Sequence, residues 1–423
     1  MPVSNQRNLR RLALLGVAAA LALGAAACSS SGGGSAGPAA SGASGTSSNS
    51  PILIGGAGPI NSSQLSQPER KGAEEAAIAD LNAKGGINGH PLKLVYCDTE
   101  NTANGEVTCM HQLVSDNLSA ILSPGIINDQ SGQGYQLASA AKVPVIGGQG
   151  LTPAEFTIPG IFPLGSGIPG WAYGSVAALL DQGARKIAFF GTTDAGSEYI
   201  ISLSESALKS AGQQPVRVVA VDQQTDPTFA AGAAQVIAGG VDGIVFDSNP
   251  VDAPKGVSAL REAGYKGLIS SITAIFGPST LEALGSQANG ILLTSQMSFP
   301  SDASNPGVAA FLADMKKYEP SAEINETAET AWASAMLFAD VAKGLPSVDN
   351  ATVWSAFSNL SKPVNVGIAG PYQVAGAKVY LTASPRIYNP TVQNGVVKNG
   401  VLVPNGKGFL NPFTELANYA TSK

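Results

Sequence analysis

Few residues in this chain of 423 can do chemistry, and the densest group lies in one stretch, CDTENTANGEVTCMH. It carries Cys97, Cys109 and His111. A cysteine pair so placed either closes a disulfide or, with His111, offers three ligands to a metal. The spacing is not that of a known zinc motif, and a fourth ligand is not evident. The only other histidine is His90, in a turn before a strand, so a Ser–His–Asp arrangement has no evident base. GSGIPG, at 165–170, matches a dinucleotide GxGxxG, but no acid ends a following strand at the right distance. GGSAG, at 33–37, has the spacing of a hydrolase nucleophile turn without its strand–turn–helix context. No P-loop GK[ST] occurs. These residues predict no enzyme, no bound metal and no cofactor.

A third cysteine, Cys28, stands where an apolar run gives way to a Ser/Gly-rich stretch. Arg7, Arg10 and Arg11 precede that run, with no acid among them. A charged start, a short apolar run and small residues read as a secretory signal over residues 1–27. The run is too short and too rich in alanine for a membrane span. RNLRR only faintly resembles a twin-arginine signal. The Cys28 context resembles a bacterial lipobox, in which the cysteine is lipidated and becomes the new N-terminus. The lipobox usually has Leu three places before the cysteine, and Ala25 stands there. The alternative is an ordinary secretory signal that leaves Cys28 free. Residues 28–50 are almost all Ser, Gly and Ala, a composition that buries no core and reads as a flexible tether. Lipid, tether and folded part in that order predict a protein on the cell surface or in the periplasm, held by Cys28 to the outer face of the cytoplasmic membrane.

Export favours the disulfide for Cys97 and Cys109. It would contribute about 3 kcal/mol in the chain-entropy picture. The chain has 24 Lys and Arg against 30 Asp and Glu; without the three leader arginines the balance is 21 against 30, a net −9. An acidic chain with no basic patch argues against nucleic acid as a partner.

Downstream of residue 50 the chain alternates short apolar runs with amphipathic stretches. Strands are predicted at 52–58, 91–98, 119–125 and 143–150, with helices at 67–86, 106–116 and 134–142 between them. Further strands are predicted at 184–191, 214–222, 241–247, 266–272 and 289–295, again separated by helical stretches. Such alternation predicts an α/β fold with parallel sheets covered on both faces. The strands are too many for one ordinary sheet, so two lobes are expected. Helices follow at 306–318, 325–344 and 350–360, and the tail 370–423 reads as short strands and turns. Trp332 and Trp354 fall on helices as core residues, His111 as a surface or packing residue, and Trp171 opens a helix where it could face a hinge.

The phrase GGINGHPLKLVYCD within 82–125 resembles the first lobe of branched-chain-amino-acid-type (Leu/Ile/Val-binding-like) solute-binding lipoproteins of ABC transporters. AKVPVIGGQGLTP, ARKIAFFGTTDAGSEYIISLSESALKSAG, GILLTSQ and AWASAMLFADVAK continue the resemblance in order, from residue 51 to about 383. It implies the type I periplasmic-binding fold, two Rossmann-like lobes joined by a hinge crossed three times, near Gly165, Ser298 and Thr382. Lobe 1 is then 51–165 with 298–382, and lobe 2 is 166–297 with 383–423. It further implies a monomer that closes on a small solute and hands it to an ABC permease and its ATPase.

In open parallel sheets, ligands sit beyond the carboxyl ends of the strands. The loops there offer Asn61, Ser63, Ile127, Asn128, Asp129, Gln149, Gly150 and Thr152 from lobe 1. Lobe 2 offers Asp194, Ala195, Asp247, Asn249, Thr273 and Ala274. Amino-acid-binding relatives hold the ligand carboxylate with small hydroxyl residues and backbone N–H groups. Here GIINDQ and GGQGLT stand in those places, so Gln149, Thr152 and backbone groups would serve. An aromatic is common where Ala195 stands, and an acid near Thr273 and Ala274. An amino acid would need a replacement acid, and Asp129, Asp194 and Asp247 are the candidates. An amide or short polar organic acid fits the same pattern. A sensor or receptor module without a transporter is the alternative function, which neighbouring permease and ATPase genes would decide. A secreted enzyme is a more distant one.

Overall fold

The computed structural model describes residues 49–421. The leader, Cys28 and all of the Ser/Gly-rich stretch except Asn49 and Ser50 lie outside the described residues.

The first sheet is built from β1 (Ile52–Gly58), β2 (Leu92–Asp98), β3 (Ala120–Leu122), β4 (Val145–Ile146) and β5 (Ile161–Phe162). Its order is β2-β1-β3-β4-β5 and every pairing is parallel. The unbroken apolar runs of β1 and β3 follow from burial on both faces. α1 (Pro68–Ala83), with Pro at its start and Gly85 at φ +100 just past its end, packs on one face. α2 (Ala103–Ser115) and α3 (Gln133–Ala140) cover the other. α2 begins earlier than periodicity suggests, because the Thr102 hydroxyl accepts the Gly105 N–H.

Residues 163–166 lead from β5 to α4 (Gly167–Asp181), which lies against the second sheet. β6 (Ile187–Thr192), α5 (Ala195–Ser210), β7 (Arg217–Val221), α6 (Ala230–Ile237) and β8 (Gly243–Phe246) follow. Then come α7 (Ala253–Glu262), β9 (Leu268–Ile272), α8 (Pro278–Leu284) and β10 (Leu292–Ser295). Residues 296–305 lead back to α9 (Pro306–Tyr318), α10 (Glu326–Ala342) and α11 (Asn350–Ser358). α9 and α10 pack on α1, and α10 also on β3. The alanine-rich faces of α1 and α10 allow this close approach, with Ala73, Ala76, Ala77, Ala331 and Ala335 fully buried. The chain then adds β11 (Gln393–Lys398) and β12 (Val401–Pro404) to the second sheet. That sheet is ordered β12-β11-β10-β9-β8-β6-β7, parallel except at β10–β11 and β11–β12.

The type I periplasmic-binding architecture expected from the resemblance is therefore present: two mostly parallel sheets, helices on both faces of each. One expectation is corrected. The tail ends in a helix, α12 (Pro412–Thr421), rather than in strands and turns alone. The Asn411 side chain accepts the N–H groups of Phe413 and Thr414, and Phe413 and Leu416 are buried, with the Phe413 ring against Tyr173. Cys97, near the end of β2, and Cys109 on α2 form a disulfide, so neither is a metal ligand. Among the described residues no helix is long and apolar enough to cross a membrane. Trp332 is buried, its indole donating to Asp314 at 2.9 Å. Trp354 is half-buried beneath Lys142, His111 is exposed, and Trp171 is fully buried.

Candidate functional site

Three loops leave the carboxyl ends of β1, β3 and β4, and each wraps one carboxyl group of the chain itself. Asp98 accepts the N–H groups of Ile60 (2.9 Å) and Asn61 (3.2 Å) and the Asn61 side-chain amide (2.8 Å). Burial pushes the Asp98 carboxyl up, but these donors and the Glu100 N–H hold it below its ordinary value. Glu106 accepts from the N–H groups of Ile127 (2.9 Å), Asn128 (2.9 Å) and Asp129 (2.6 Å). Glu155 accepts from those of Gly150 (3.0 Å), Leu151 (2.7 Å) and Thr152 (3.1 Å). Burial pushes Glu155 up to about 7, against the pull of these three donors and of Arg70. The backbone donors expected to hold a ligand carboxylate are thus already bonded inside the protein.

The side chains of these loops are bonded in the same way. Asp129 accepts from the Ser131 hydroxyl (2.5 Å) and the Gly134 N–H (2.7 Å) at the start of α3. Ser63 is exposed. Gln149 is buried and accepts from Arg70 at 2.6 Å, and its amide donates to Thr327 at 3.3 Å. Arg70, on the first turn of α1, is fully buried. Its terminal nitrogens also donate to Ser123 and Gln67. Glycine is required beneath it: a Cβ on Gly58 would lie 2.9 Å from the Arg70 Cδ, and one on Gly125 2.8 Å from its Nε.

On the second sheet, Asp194 caps α5 by accepting the Ser197 N–H, and also receives the Thr192 hydroxyl. Ala195 is exposed beside it. The Asn249 side chain closes a turn onto Val251 and Asp252. Asp247 is 3% exposed, and its Oδ1 has no partner. Burial pushes it up to about 8, Ser197 pulling the other way.

Thr273 and Ala274, in the loop after β9, are the sequence candidates that line a cavity shared by elements of both sheets. The other elements are the entry to α1 and the start of α10, a residue group that sequence reasoning did not single out. The Thr273 hydroxyl donates to the Glu326 carboxyl. Glu326 also accepts the Gln296 N–H at 2.9 Å. The Gln296 side chain in turn donates to the Gln149 carbonyl at 2.9 Å, which ties the β4 loop to the strand connection.

Two adjoining pockets form the two halves of this candidate site and share Thr273, Gly277, Asn325 and Glu326 on their walls. One is polar, with Gln67, Glu69, Glu323, Asn325 and Thr327 on its wall. The other, of about 260 Å³, is largely apolar, walled by Phe276, Leu281, Phe299, Ile324 and Leu402 and carrying Glu329. Burial pushes Glu326 up to about 8, although the Gln296 N–H and the Ser295 and Trp171 side chains favour its charged form. Burial, and then the charge of Glu326, raise Glu329 well above its ordinary value. Such an arrangement can hold a small molecule between the two sheets and offers hydrogen-bonding acids, with no histidine, cysteine or lysine on its walls.

Residues 51–380 match the family model described as "Periplasmic binding protein". A stretch of 72 residues is 33% identical to Leu/Ile/Val-binding protein homolog 2 of Brucella abortus, covering 17% of this chain and 19% of that protein's length. An extracellular ligand-binding receptor from Verminephrobacter eiseniae superimposes with a TM-score of 0.71 at 19% identity, covering 84% of this chain and 99% of that one. A branched-chain amino acid transporter substrate-binding protein from Streptococcus pneumoniae, solved with isoleucine, gives 0.66 at 18% identity, covering 84% and 99%. At these identities the two structures share the fold.

Proposed function

The chain belongs to the periplasmic binding protein family, and from that premise we propose that it is a lipid-anchored solute-binding protein serving an ABC importer. Cys28 carries the anchor, residues 29–50 are the tether, and the elements on the two sheets act as lobes that close on one small solute. The observation that carries this reading is the cavity centred on Thr273 and Glu326, walled from both sheets. Closure about a hinge excludes water from such a cavity and strengthens every polar contact in it. The names of the relatives, a Leu/Ile/Val-binding protein homolog and a branched-chain amino acid transporter substrate-binding protein, support a small solute as the cargo. No histidine, cysteine or lysine lines the cavity, which favours capture over conversion.

The test is a thermal-shift screen of the purified protein against amino acids, amides, amines and organic acids, followed by mass spectrometry of the mixture. A solute at 100 times its Kd adds about 2.7 kcal/mol. A shift with the solute recovered unchanged supports the reading. Conversion of the solute, or no response across the screen, overturns it.

A further inference from the structure

Resting on the solute-binding reading, we infer that the solute is a small aliphatic amine without a carboxylate, its ammonium held by Glu326 and Glu329 and its chain lying in the apolar half of the cavity.

Three observations converge. The first is what the two halves of the cavity contain. Glu69, Glu323, Glu326 and Glu329 line them, and neither half is lined by a lysine or arginine. Glu326 is 4% exposed and Glu329 1%, and the Glu329 Oε1 has no hydrogen-bond partner. A buried acid with an open acceptor is costly unless a cation or a donor meets it. An ammonium supplies both, with three donors on one centre.

The second is the sealed anion side. An amino acid brings a carboxylate as well as an ammonium, and that carboxylate needs donors. The loops after β1, β3 and β4 have bonded theirs to Asp98, Glu106 and Glu155. Arg70 directs its terminal nitrogens to Ser123, Gln67 and Gln149, and its Nε, buried without a partner, lies against Gly58 and Gly125 and lines neither half of the cavity. A solute carboxylate placed against Glu326 would find no lysine or arginine in either half to meet its charge.

The third is the wall. Phe276, Leu281, Phe299 and Leu402 wall an apolar chamber that Thr273, Glu326 and Glu329 also line. A short branched or linear hydrocarbon fits that chamber, with its polar end at the two acids.

The experiment compares four probes that share one branched chain and differ at the head: isoamylamine, leucine, isovalerate and isovaleramide. Each is titrated calorimetrically into the purified full chain and into Glu329→Gln. Isoamylamine is expected to bind at least about tenfold more tightly than the others, and Glu329→Gln to weaken it about tenfold, the size of one buried charged hydrogen bond. Tightest binding of leucine or isovalerate shows an open carboxylate clasp and overturns the inference, while the solute-binding reading stands. Tightest binding of isovaleramide overturns the need for a cation. Loss of amine binding in Asp247→Asn but not in Glu329→Gln moves the ammonium to the second sheet and also overturns it. If none of the four binds but another solute in the screen does, the inference alone falls. If no solute in the screen binds, both readings fall.

Discussion

Glu326, the first residue of α10, receives the hydroxyl of Thr273 from the loop that ends β9. α10 lies against α1 and the first sheet, and Thr273 belongs to the second, so one hydrogen bond joins elements of the two sheets. Thr273→Val removes the donor and keeps the shape of the side chain. The affinity for the captured solute is expected to fall about fivefold, the worth of about 1 kcal/mol. Calorimetric titration of the two proteins with the same solute measures this. Unchanged affinity would mean that this contact does not hold the closed form.

The same carboxyl makes stability depend on pH. Glu326 ionises near 4.5 in an unfolded chain, whereas burial pushes it to about 8 in the folded one. Between those values the folded state keeps a proton that the unfolded state has lost. Stability contributed by the buried acid is therefore full at low pH and declines as pH rises through this window. Asp247, also pushed to about 8 by burial, acts in the same direction. The melting temperature of the empty protein is expected to fall from pH 5 to pH 8. Glu326→Gln flattens that slope, and melting curves of both proteins across the range test it. Equal slopes would show that Glu326 titrates normally.

Much of this fold is legible in the residues themselves, and the reason is local chemistry. Asn305 accepts N–H groups at the start of α9, and apolar residues recur at helical spacing behind it, so its limits match the expectation of 306–318. β4 and β5 hold two residues each, too short for any period to show, and only β4 falls within a predicted strand, the longer run 143–150. The positions of the site loops also follow from strand ends. Their closure does not, because Asp98 bonds to a loop 37 and 38 residues away, and Glu106 to one 21 to 23 residues away. Glu326 and Glu329 follow Asn325 in NETAET, where acids in a first helical turn have an ordinary role opposite the helix dipole. Only the meeting of α10 with the β9 loop gives them a cavity to face.

Glu155 organises the loop after β4 by accepting three backbone N–H groups. Glu155→Ala leaves those donors without a partner in a buried place. Urea unfolding is expected to show a loss of about 3 kcal/mol. Added acetate should restore part of that loss in the variant and none in the parent protein, because the emptied loop then presents an anion site. No rescue by acetate would mean that the loop rearranges instead of holding its shape.

The disulfide ties the end of β2 to α2. Replacing both Cys97 and Cys109 by alanine is expected to cost about 3 kcal/mol through the freed loop. Denaturant titration of the double variant tests this, with solute affinity as the second readout. The disulfide lies beside Asp98, which holds the loop after β1, so a change in affinity would show that the crosslink also positions that loop. Unchanged affinity with lowered stability would assign it to the scaffold alone.

Cys28 carries the anchoring proposal by itself, since no helix among the described residues can span a membrane. A single acyl chain gives only marginal attachment, whereas two or more together hold firmly. Cys28→Ala is therefore expected to move the protein from the membrane fraction to the medium or periplasmic wash, with solute binding intact. Fractionation with immunodetection, together with the mass of the mature N-terminus, measures this. A variant that stays in the membrane fraction would locate the anchor elsewhere. A parent protein whose mature N-terminus bears no lipid would assign residues 1–27 to an ordinary secretory signal.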